Sequence, residues 1–244
     1  MKVPAVLFAG LLAVLVAPIF GSDGDISADR ASYALTARVV SPADQSIWTL
    51  AARTEGGQRT FEIRHTGRSG QWQTVSIPLN PPLERFEEVA AATGNGDVYF
   101  AGWAEGRLHL VKLDASGKVV FVRPLGVRSA RLVGLVPASN RGVLLFGRSD
   151  RGAFAAKVDD SGLRLWTIDI DEHPRAAVFT NAALENDGSC ILTANIYDRR
   201  EEEFNARGGR KLRITVDPRG RIVQSKSFPE PLAASTVLEA LGND

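Results

Sequence analysis

Cysteine is almost absent from this sequence, and histidine is scarce. The single Cys190 excludes an internal disulfide, and its place in an apolar run at 189–192 predicts a buried, unreactive thiol. The three histidines, His65, His109 and His173, fall in no metal-ligand spacing. The sequence contains no Gly-x-Ser-x-Gly elbow and no dinucleotide fingerprint. We therefore expect no metal, no cofactor and no catalytic constellation.

An excess of charge of one sign is also lacking. Lysine and arginine number 29 against 28 acidic residues, so the formal net charge is +1. This balance gives no support for nucleic acid as a partner. Hydrophobic residues make up 44% and charged residues 23%, which is typical of a folded domain with a real core. The 23 glycines and 12 prolines indicate many turns.

One long apolar run is present, at the N-terminus. Lys2 is followed by an uncharged, mostly apolar stretch at 3–20 and then by Gly21 and Ser22. This order predicts a secretory signal peptide over 1–22. The alternative is an uncleaved anchor, because the run reaches the lower limit for crossing a bilayer. Either way, we expect the rest of the chain to be periplasmic or secreted, with membrane contact only through this segment.

A repeat of about 45 residues organises the remainder of the chain. The turn residues Asp114 and Asp159 are 45 positions apart, and Asp217 follows after a longer interval that contains an insertion at 198–210. In each Asp-x-x-Gly turn the aspartate caps backbone amides and the glycine supplies a positive φ. A calcium loop would need several oxygen ligands at alternate positions, so turn capping is favoured here.

Each repeat contains four short β-branched and aromatic runs bounded by Gly, Asn and Asp, which predicts four strands. A weaker copy precedes the three clear repeats. After a linker at 23–32, the sequence therefore predicts an all-β domain over 33–244 with four four-stranded blades of a β-propeller. The predicted blades lie at about 33–80, 85–126, 130–171 and 176–229.

The turn regions resemble those of secreted bacterial β-propeller repeat proteins, a group that includes the quinoprotein-type propellers. The resemblance is carried by 113–121 and 158–166, in which an aromatic residue stands four positions after the turn glycine. In that group an equivalent tryptophan docks between neighbouring blades, which implies this role for Phe121 and Trp166. The last repeat has Gln224 at this place, so the motif is incomplete. The resemblance implies a fold and no activity.

The array of repeats looks unfinished at the C-terminal side. Residues 231–241 resemble the first strand of another blade. Three interpretations remain open: this strand closes a small ring with the first blade, it leaves an open edge that pairs with a second copy as a homodimer, or the segment forms a short helix.

One face of the predicted propeller collects the loops between second and third strands together with the connections between blades. Arginine and aromatic side chains are frequent there, as they are at recognition surfaces. The candidate binding residues are Trp103, Arg107, Arg148, Arg151, Tyr197, Arg199 and Arg200. Acidic residues are interleaved with them, so an ordinary solvated loop surface is the alternative. The insertion at 198–209 is the best single candidate for a contact with a partner.

Two functional hypotheses follow. The leading one is a non-enzymatic extracytoplasmic binding or scaffolding protein that contacts a protein or a glycan through the arginine-rich loop face. The alternative is a degenerate propeller enzyme, quinone- or sugar-active, or a truncated propeller fragment without independent activity. An enzyme of this kind needs charged residues in the central channel, which is predicted to be lined by 86–92, 131–137 and 176–183. Glu87 and Glu88 are the acids available there.

Overall fold

The computed structural model describes nine stretches of the chain. They are residues 32–55, 58–67, 70–75, 77, 83–127, 130–138, 142–171, 176–197 and 210–229. All of them belong to one compact unit that spans residues 31–244. The predicted signal peptide or anchor at 1–22, the insertion at 198–209 and the extra strand at 231–241 lie outside these residues. Within the described stretches, no helix has the length and apolar character needed to span a bilayer.

Sixteen strands form four antiparallel sheets in the described part of the chain, and each sheet is a simple meander of four consecutive strands. Blade 1 contains β1 (Ser32–Val40), β2 (Ile47–Glu55), β3 (Gln58–Thr66) and β4 (Trp72–Val75). Blade 2 contains β5 (Arg85–Ala92), β6 (Val98–Ala104), β7 (Arg107–Leu113) and β8 (Val119–Pro124). Blade 3 contains β9 (Arg131–Pro137), β10 (Val143–Ser149), β11 (Gly152–Val158) and β12 (Arg164–Ile170). Blade 4 contains β13 (Ala176–Leu184), β14 (Cys190–Tyr197), β15 (Arg210–Val216) and β16 (Ile222–Pro229).

The turns between third and fourth strands have the chemistry predicted from the sequence. Asp114 Oδ1 accepts hydrogen bonds from the backbone amides of Ser116 (2.9 Å) and Lys118 (3.0 Å), and Asp159 repeats the pattern. The Ser116 hydroxyl is the largest of the influences that lower the pKa of Asp114, and burial opposes it. The capping role of these aspartates is therefore confirmed. Among the described residues, no group of three or more His, Cys, Asp or Glu is arranged to hold a metal ion.

The four sheets pack face to face through three apolar clusters, one for each pair of consecutive blades. Trp48 and Phe100 belong to the cluster between blades 1 and 2, Tyr99 and Phe154 to the next, and Phe179 to the third. The first strands β1, β5, β9 and β13 lie beside one another in that order. This radial stacking of four-stranded meanders is a β-propeller arrangement, so the predicted fold class is confirmed.

An aromatic side chain of one blade packs on the turn glycine of the next. Trp166 contacts Gly220 and Phe121 contacts Gly162, as the resemblance implied. In blade 1 the equivalent contact is made by Trp48, which lies 3.4 Å from the position that a Cβ on Gly117 would take. Sequence comparison of the turns misses Trp48 because it comes from the second strand rather than the fourth.

Two buried lysines also connect the blades. Lys112 of blade 2 pairs with Asp97 (3.0 Å) in its own blade and with Asp160 in blade 3. Its repeat equivalent Lys157 donates from Nζ to the carbonyl of Gly188 in blade 4 (3.0 Å). Both lysines are 3% exposed, so each ammonium is satisfied inside the protein rather than by water.

The ring has no hydrogen-bonded closure among the described residues, because each blade is a separate sheet. Among the sixteen described strands, the contacts that join β1 to β5, β5 to β9 and β9 to β13 have no counterpart of comparable extent between blade 4 and blade 1. The three interpretations of the C-terminal segment stay open, since 231–241 lies outside the described residues.

Candidate functional site

The antiparallel meanders place the loops between second and third strands at the same end of the blades as the connections between blades. At this end, a cleft of about 450 Å³ opens between blades 2 and 3. Its lining residues are Gly126, Val127, Ser149, Asp150, Arg151, Phe154, Arg164, Thr167 and Asp169. The cleft therefore lies on the face that the sequence identifies as the loop face.

Backbone hydrogen bonds hold the wall of the cleft that comes from blade 2. The amide of Leu125 donates to the carbonyl of Leu108 (2.8 Å), and the amide of Leu108 donates to the carbonyl of Val127 (3.5 Å). Arg164 of blade 3 reaches across and donates from Nη1 to the carbonyl of Leu125 (2.8 Å). The connection between the two blades is thus tied to both of them, which favours a preformed cleft.

The opposite wall is the tight turn between β10 and β11. The Ser149 hydroxyl accepts a hydrogen bond from the amide of Arg151 (3.2 Å) and donates to Asp169 Oδ1 (3.4 Å). Asp150 is exposed at the tip of this turn and makes no hydrogen bond or ion pair with the described residues. Phe154, which is 1% exposed, forms an apolar floor.

The chemistry available in the cleft comes from two carboxylates, two guanidinium groups and two hydroxyls. The carboxylates are Asp150 and Asp169, and the guanidinium groups belong to Arg151 and Arg164. A pair of carboxylates can act as general acid and general base, and arginine forks bind hydroxyl or carboxylate oxygens. Asp150 lies between the candidates Arg148 and Arg151 on the predicted loop face, whereas Asp169 belongs to β12, which the sequence analysis did not single out. The two aspartates meet only when β12 packs beside the β10–β11 turn.

The structure places the seven predicted binding residues in different surroundings. Arg151 lines the cleft, and Arg148 donates from Nη1 to the Tyr197 hydroxyl (3.1 Å), which joins blade 3 to blade 4 on the loop face. Arg107 is exposed at the start of β7 and does not line the cleft. The predicted residues Arg199 and Arg200 lie outside the described residues.

Trp103 differs from the expectation of an exposed aromatic beside the arginines. Its side chain is 5% exposed and belongs to the apolar cluster between blades 2 and 3. The guanidinium of Arg85 lies over its ring, 4.8 Å from the centroid. Trp103 is therefore a packing residue at the end of β6, because its position in the strand directs the ring toward the neighbouring blade.

Glu87 does not serve as a free acid in a central channel. A register shift between Phe86 and Ala90 interrupts the pairing of β5 with β6, and Glu87 lies in it with 8% exposure. Its carboxylate accepts hydrogen bonds from Trp103 Nε1 (2.5 Å) and from the amide of Leu132 (3.0 Å). Glu87 thus joins blade 2 to blade 3. The side chain of Glu88 lies outside the described residues.

A second cavity, of about 470 Å³, lies at the opposite end of the blades. It is bordered by the turns between first and second strands of blades 2, 3 and 4. Its lining residues are Thr93, Gly94, Asn95, Pro137, Ala138, Leu184, Glu185 and Asn186. These residues contribute amides and one hydroxyl but only one carboxylate, so the cavity lacks an acid–base pair.

Comparisons with known proteins find no relative by sequence and a set of distant structural neighbours. No family model matches the chain, and no curated protein matches it. Among solved structures, the dipeptidyl peptidase 4 of Porphyromonas gingivalis is 9% identical, with a TM-score of 0.47 over 83% of this chain and 38% of the peptidase. An apocarotenoid oxygenase of Synechocystis is 15% identical, with a TM-score of 0.43 over 80% of this chain and 48% of the oxygenase. A glycosyl hydrolase from Bacteroides ovatus is 13% identical, with a TM-score of 0.37 over 82% of this chain and 72% of the hydrolase.

The leading functional hypothesis from the sequence is corrected by these comparisons. Most of the named neighbours are enzymes, namely a peptidase, an oxygenase and glycoside hydrolases, rather than non-enzymatic binding or scaffolding proteins. Their TM-scores are below 0.5, so they assign no role to this chain. This chain spans less than half of the peptidase and of the oxygenase. At these identities the likeness shows the fold alone. The β-propeller fold is shown by the four stacked four-stranded meanders of this chain itself.

Proposed function

We propose that this chain is an extracytoplasmic propeller enzyme that hydrolyses a glycosidic bond in the cleft between blades 2 and 3. The observation that carries the proposal is the pair of carboxylates, Asp150 and Asp169, at one preformed cavity with two guanidinium groups. Of the two substrate classes that the sequence leaves open, a sugar suits this set better. Sugar hydroxyls pair with carboxylates and arginine forks, and glycoside hydrolysis commonly uses two carboxylates.

The two aspartates have different surroundings, which suggests different roles. Asp169 accepts a hydrogen bond from the Ser149 hydroxyl (3.4 Å), which holds its carboxylate in a fixed orientation at the cleft. Asp169 is therefore assigned as the general base that takes a proton from water. Asp150, on the exposed turn, is assigned as the general acid that protonates the leaving oxygen. The carbon–oxygen bond of the glycoside breaks as the new bond to the water oxygen forms.

The arginines are assigned to binding. Arg164 donates one N–H to the carbonyl of Leu125, which fixes its guanidinium at the cleft. Its other N–H groups remain available to a substrate. Arg151 is exposed on the same turn as Asp150. We expect these two side chains to affect KM more than kcat, because they are assigned to contacts present in the ground state as well as in the transition state.

The test is a hydrolysis assay on the purified protein with a panel of aryl glycosides and polysaccharides. We expect Asp150→Asn and Asp169→Asn each to lower kcat by about 100-fold or more, the usual effect of removing a general acid or base. Glu84→Gln is the matched control, because Glu84 is exposed at the same end of blade 2 but does not line the cleft. Full activity of both aspartate variants, or no hydrolysis of any substrate in the panel, contradicts the proposal.

The extracytoplasmic location is part of the same proposal and is supported by the apolar N-terminal segment. A reporter enzyme that is active only outside the cytoplasm, fused after residue 32, tests it. We expect reporter activity with the natural segment and its loss when two arginines replace Leu12 and Leu15. Activity in the cytoplasm alone contradicts the location.

A further inference from the structure

The strand registers align the four blades residue by residue, so equivalent positions can be compared. In blade 3, the face toward blade 4 is apolar, and each of its members belongs to the cluster between these blades. They are Leu144, Phe146, Ala153, Ala155, Trp166 and Ile168. A propeller blade needs such an apolar face in order to pack against the next blade and bury the side chains between them.

The equivalent face of blade 4 is polar and basic. In the same order, its positions hold Ile191, Thr193, Lys211, Arg213, Gln224 and Lys226. Arg213 and Lys226 are exposed and stand directly opposite each other on β15 and β16. We call Thr193, Lys211, Arg213, Gln224 and Lys226 the basic face. None of the four strands of blade 4 contains an aspartate or a glutamate.

A polar outer face by itself is expected of any terminal repeat, because it caps the stack for solubility. Blade 1 shows how such a cap can pair its charged side chains. There, at the other end of the array, Glu62 pairs with Arg64 (3.0 Å) and Arg53 (3.6 Å). Within the described stretches, no acidic side chain pairs with Arg213 or Lys226, and Lys226 Nζ lies over the Phe228 ring, 5.0 Å from its centroid. Like charges directly opposite on neighbouring strands are destabilising, so capping does not explain Arg213 beside Lys226.

An unpaired acceptor lies on the same face. Asn195 is the cross-strand neighbour of Lys211, and its Oδ1 is buried without a hydrogen-bond partner among the described residues. A buried carbonyl oxygen without a donor costs free energy. The Asn195 oxygen is too buried for a surface ligand to reach, so the groups available to a ligand are the exposed side chains of Arg213, Gln224 and Lys226. A ligand that brings negative charge together with hydroxyl groups would pair with all three.

We propose that the basic face of blade 4 binds an acidic polysaccharide. Its carboxylate or sulfate groups pair with Lys211, Arg213 and Lys226, and its hydroxyls pair with the amide and hydroxyl groups between them. A protein partner fits less well, because the cores of protein interfaces are apolar and aromatic, and this face offers such side chains only at its margins. The surface is separate from the Asp150–Asp169 cleft, so the inference does not depend on the proposed hydrolysis.

The test measures binding of polygalacturonate to the purified protein by calorimetry, with dextran of similar length as the neutral comparison. We expect binding to polygalacturonate only, weakening as salt is raised because exposed charges are screened. The double variant Arg213→Gln with Lys226→Gln is expected to weaken binding by about 10-fold or more, because two exposed charge contacts are lost. The control variant, Lys118→Gln with Arg219→Gln, removes two positive charges from exposed turns. This variant should bind polygalacturonate as tightly as the natural protein.

Thermal unfolding followed by circular dichroism checks that both double variants fold. Equal binding of dextran and polygalacturonate, or unchanged binding by the Arg213 and Lys226 variant, overturns the inference. Binding to acidic lipid vesicles in place of polygalacturonate overturns it as well. The two proposals fail separately, because Asp150→Asn should leave polygalacturonate binding intact, and the basic-face variant should still hydrolyse a small aryl glycoside.

Discussion

Gly220 of blade 4 lies against the indole of Trp166 of blade 3, so closely that a Cβ on the glycine would stand 2.5 Å from the tryptophan Cβ. The glycine has a φ of +84°, which its turn requires. One residue thus serves both the hairpin turn and the contact between blades. The same pairing joins Phe121 to Gly162, so the turn glycines limit how closely consecutive blades approach.

The first prediction concerns this contact. Gly220→Ala should lower the free energy of unfolding by about 2–4 kcal/mol, the sum of left-handed backbone strain and overpacking. Gly188→Ala is the matched control, because Gly188 has the same φ of +84° but no atom closer than 3.6 Å to the added Cβ. Denaturant unfolding of both variants separates the cost of backbone strain, which both share, from the cost of overpacking against Trp166. Equal losses in the two variants would show that Trp166 does not limit the space.

The second prediction concerns Glu87, which accepts hydrogen bonds from Trp103 and Leu132. Glu87→Ala leaves both donors buried without a partner and should cost about 2–4 kcal/mol of unfolding free energy. Glu84→Ala removes an exposed carboxylate that accepts one backbone amide, from Glu105 (2.9 Å), and should cost less than about 1 kcal/mol. Chemical denaturation measures both. A Glu87 variant as stable as the Glu84 variant contradicts a structural role for the buried carboxylate.

The third prediction concerns the two buried lysines. Lys112→Met leaves Asp97 and Asp160 without their cation. Lys157→Met removes a hydrogen bond to a neutral carbonyl and a weaker attraction to the exposed Asp187. Because Asp160 is partly exposed to solvent, we expect a loss of about 1–3 kcal/mol for Lys112→Met and about 1 kcal/mol or less for Lys157→Met. Urea unfolding at neutral pH compares them. A larger loss in the Lys157 variant would be the contrary outcome.

The fourth prediction concerns alkaline pH. Burial raises the pKa of Cys190 from 9.0 to about 11 and that of Tyr99 from 10.0 to about 12. The folded protein keeps these protons at pH values where the unfolded chain releases them, so stability should fall as pH rises above about 9. Cys190 alone contributes a slope of up to about 1.4 kcal/mol per pH unit between its two pKa values.

Thermal unfolding at several pH values checks this prediction in the natural protein and in Cys190→Ala. The variant should lose the part of the pH dependence that begins near pH 9, while the part due to Tyr99, which begins near pH 10, remains. Lys112 acts in the same direction. Burial lowers its pKa, but hydrogen bonds to Asp160 and Asp97 outweigh burial and raise it above 10.5, so its contribution also disappears at high pH. Identical pH profiles would contradict a buried thiol.

Much of the fold could be predicted because its determinants are local. The Asp-x-x-Gly turns and the aromatic four positions later each depend on residues close together in the chain, and their recurrence about every 45 residues marks each blade. The candidate site was predicted less well. The loop face contains the cleft and Arg151, but Trp103 is buried and the Asp150–Asp169 pair was missed.

The strand pattern, the turn chemistry and the fold class follow from local sequence, since alternation, caps and positive-φ glycines act over a few residues. Tertiary structure alone decided which side chains meet between blades, such as Glu87 with Leu132 and Arg148 with Tyr197. These pairs are about 45 to 50 residues apart in the chain, and their contact depends on the packing angle and register of whole sheets. The register likewise decides that Arg213 faces Lys226, so only the folded blade presents a basic face.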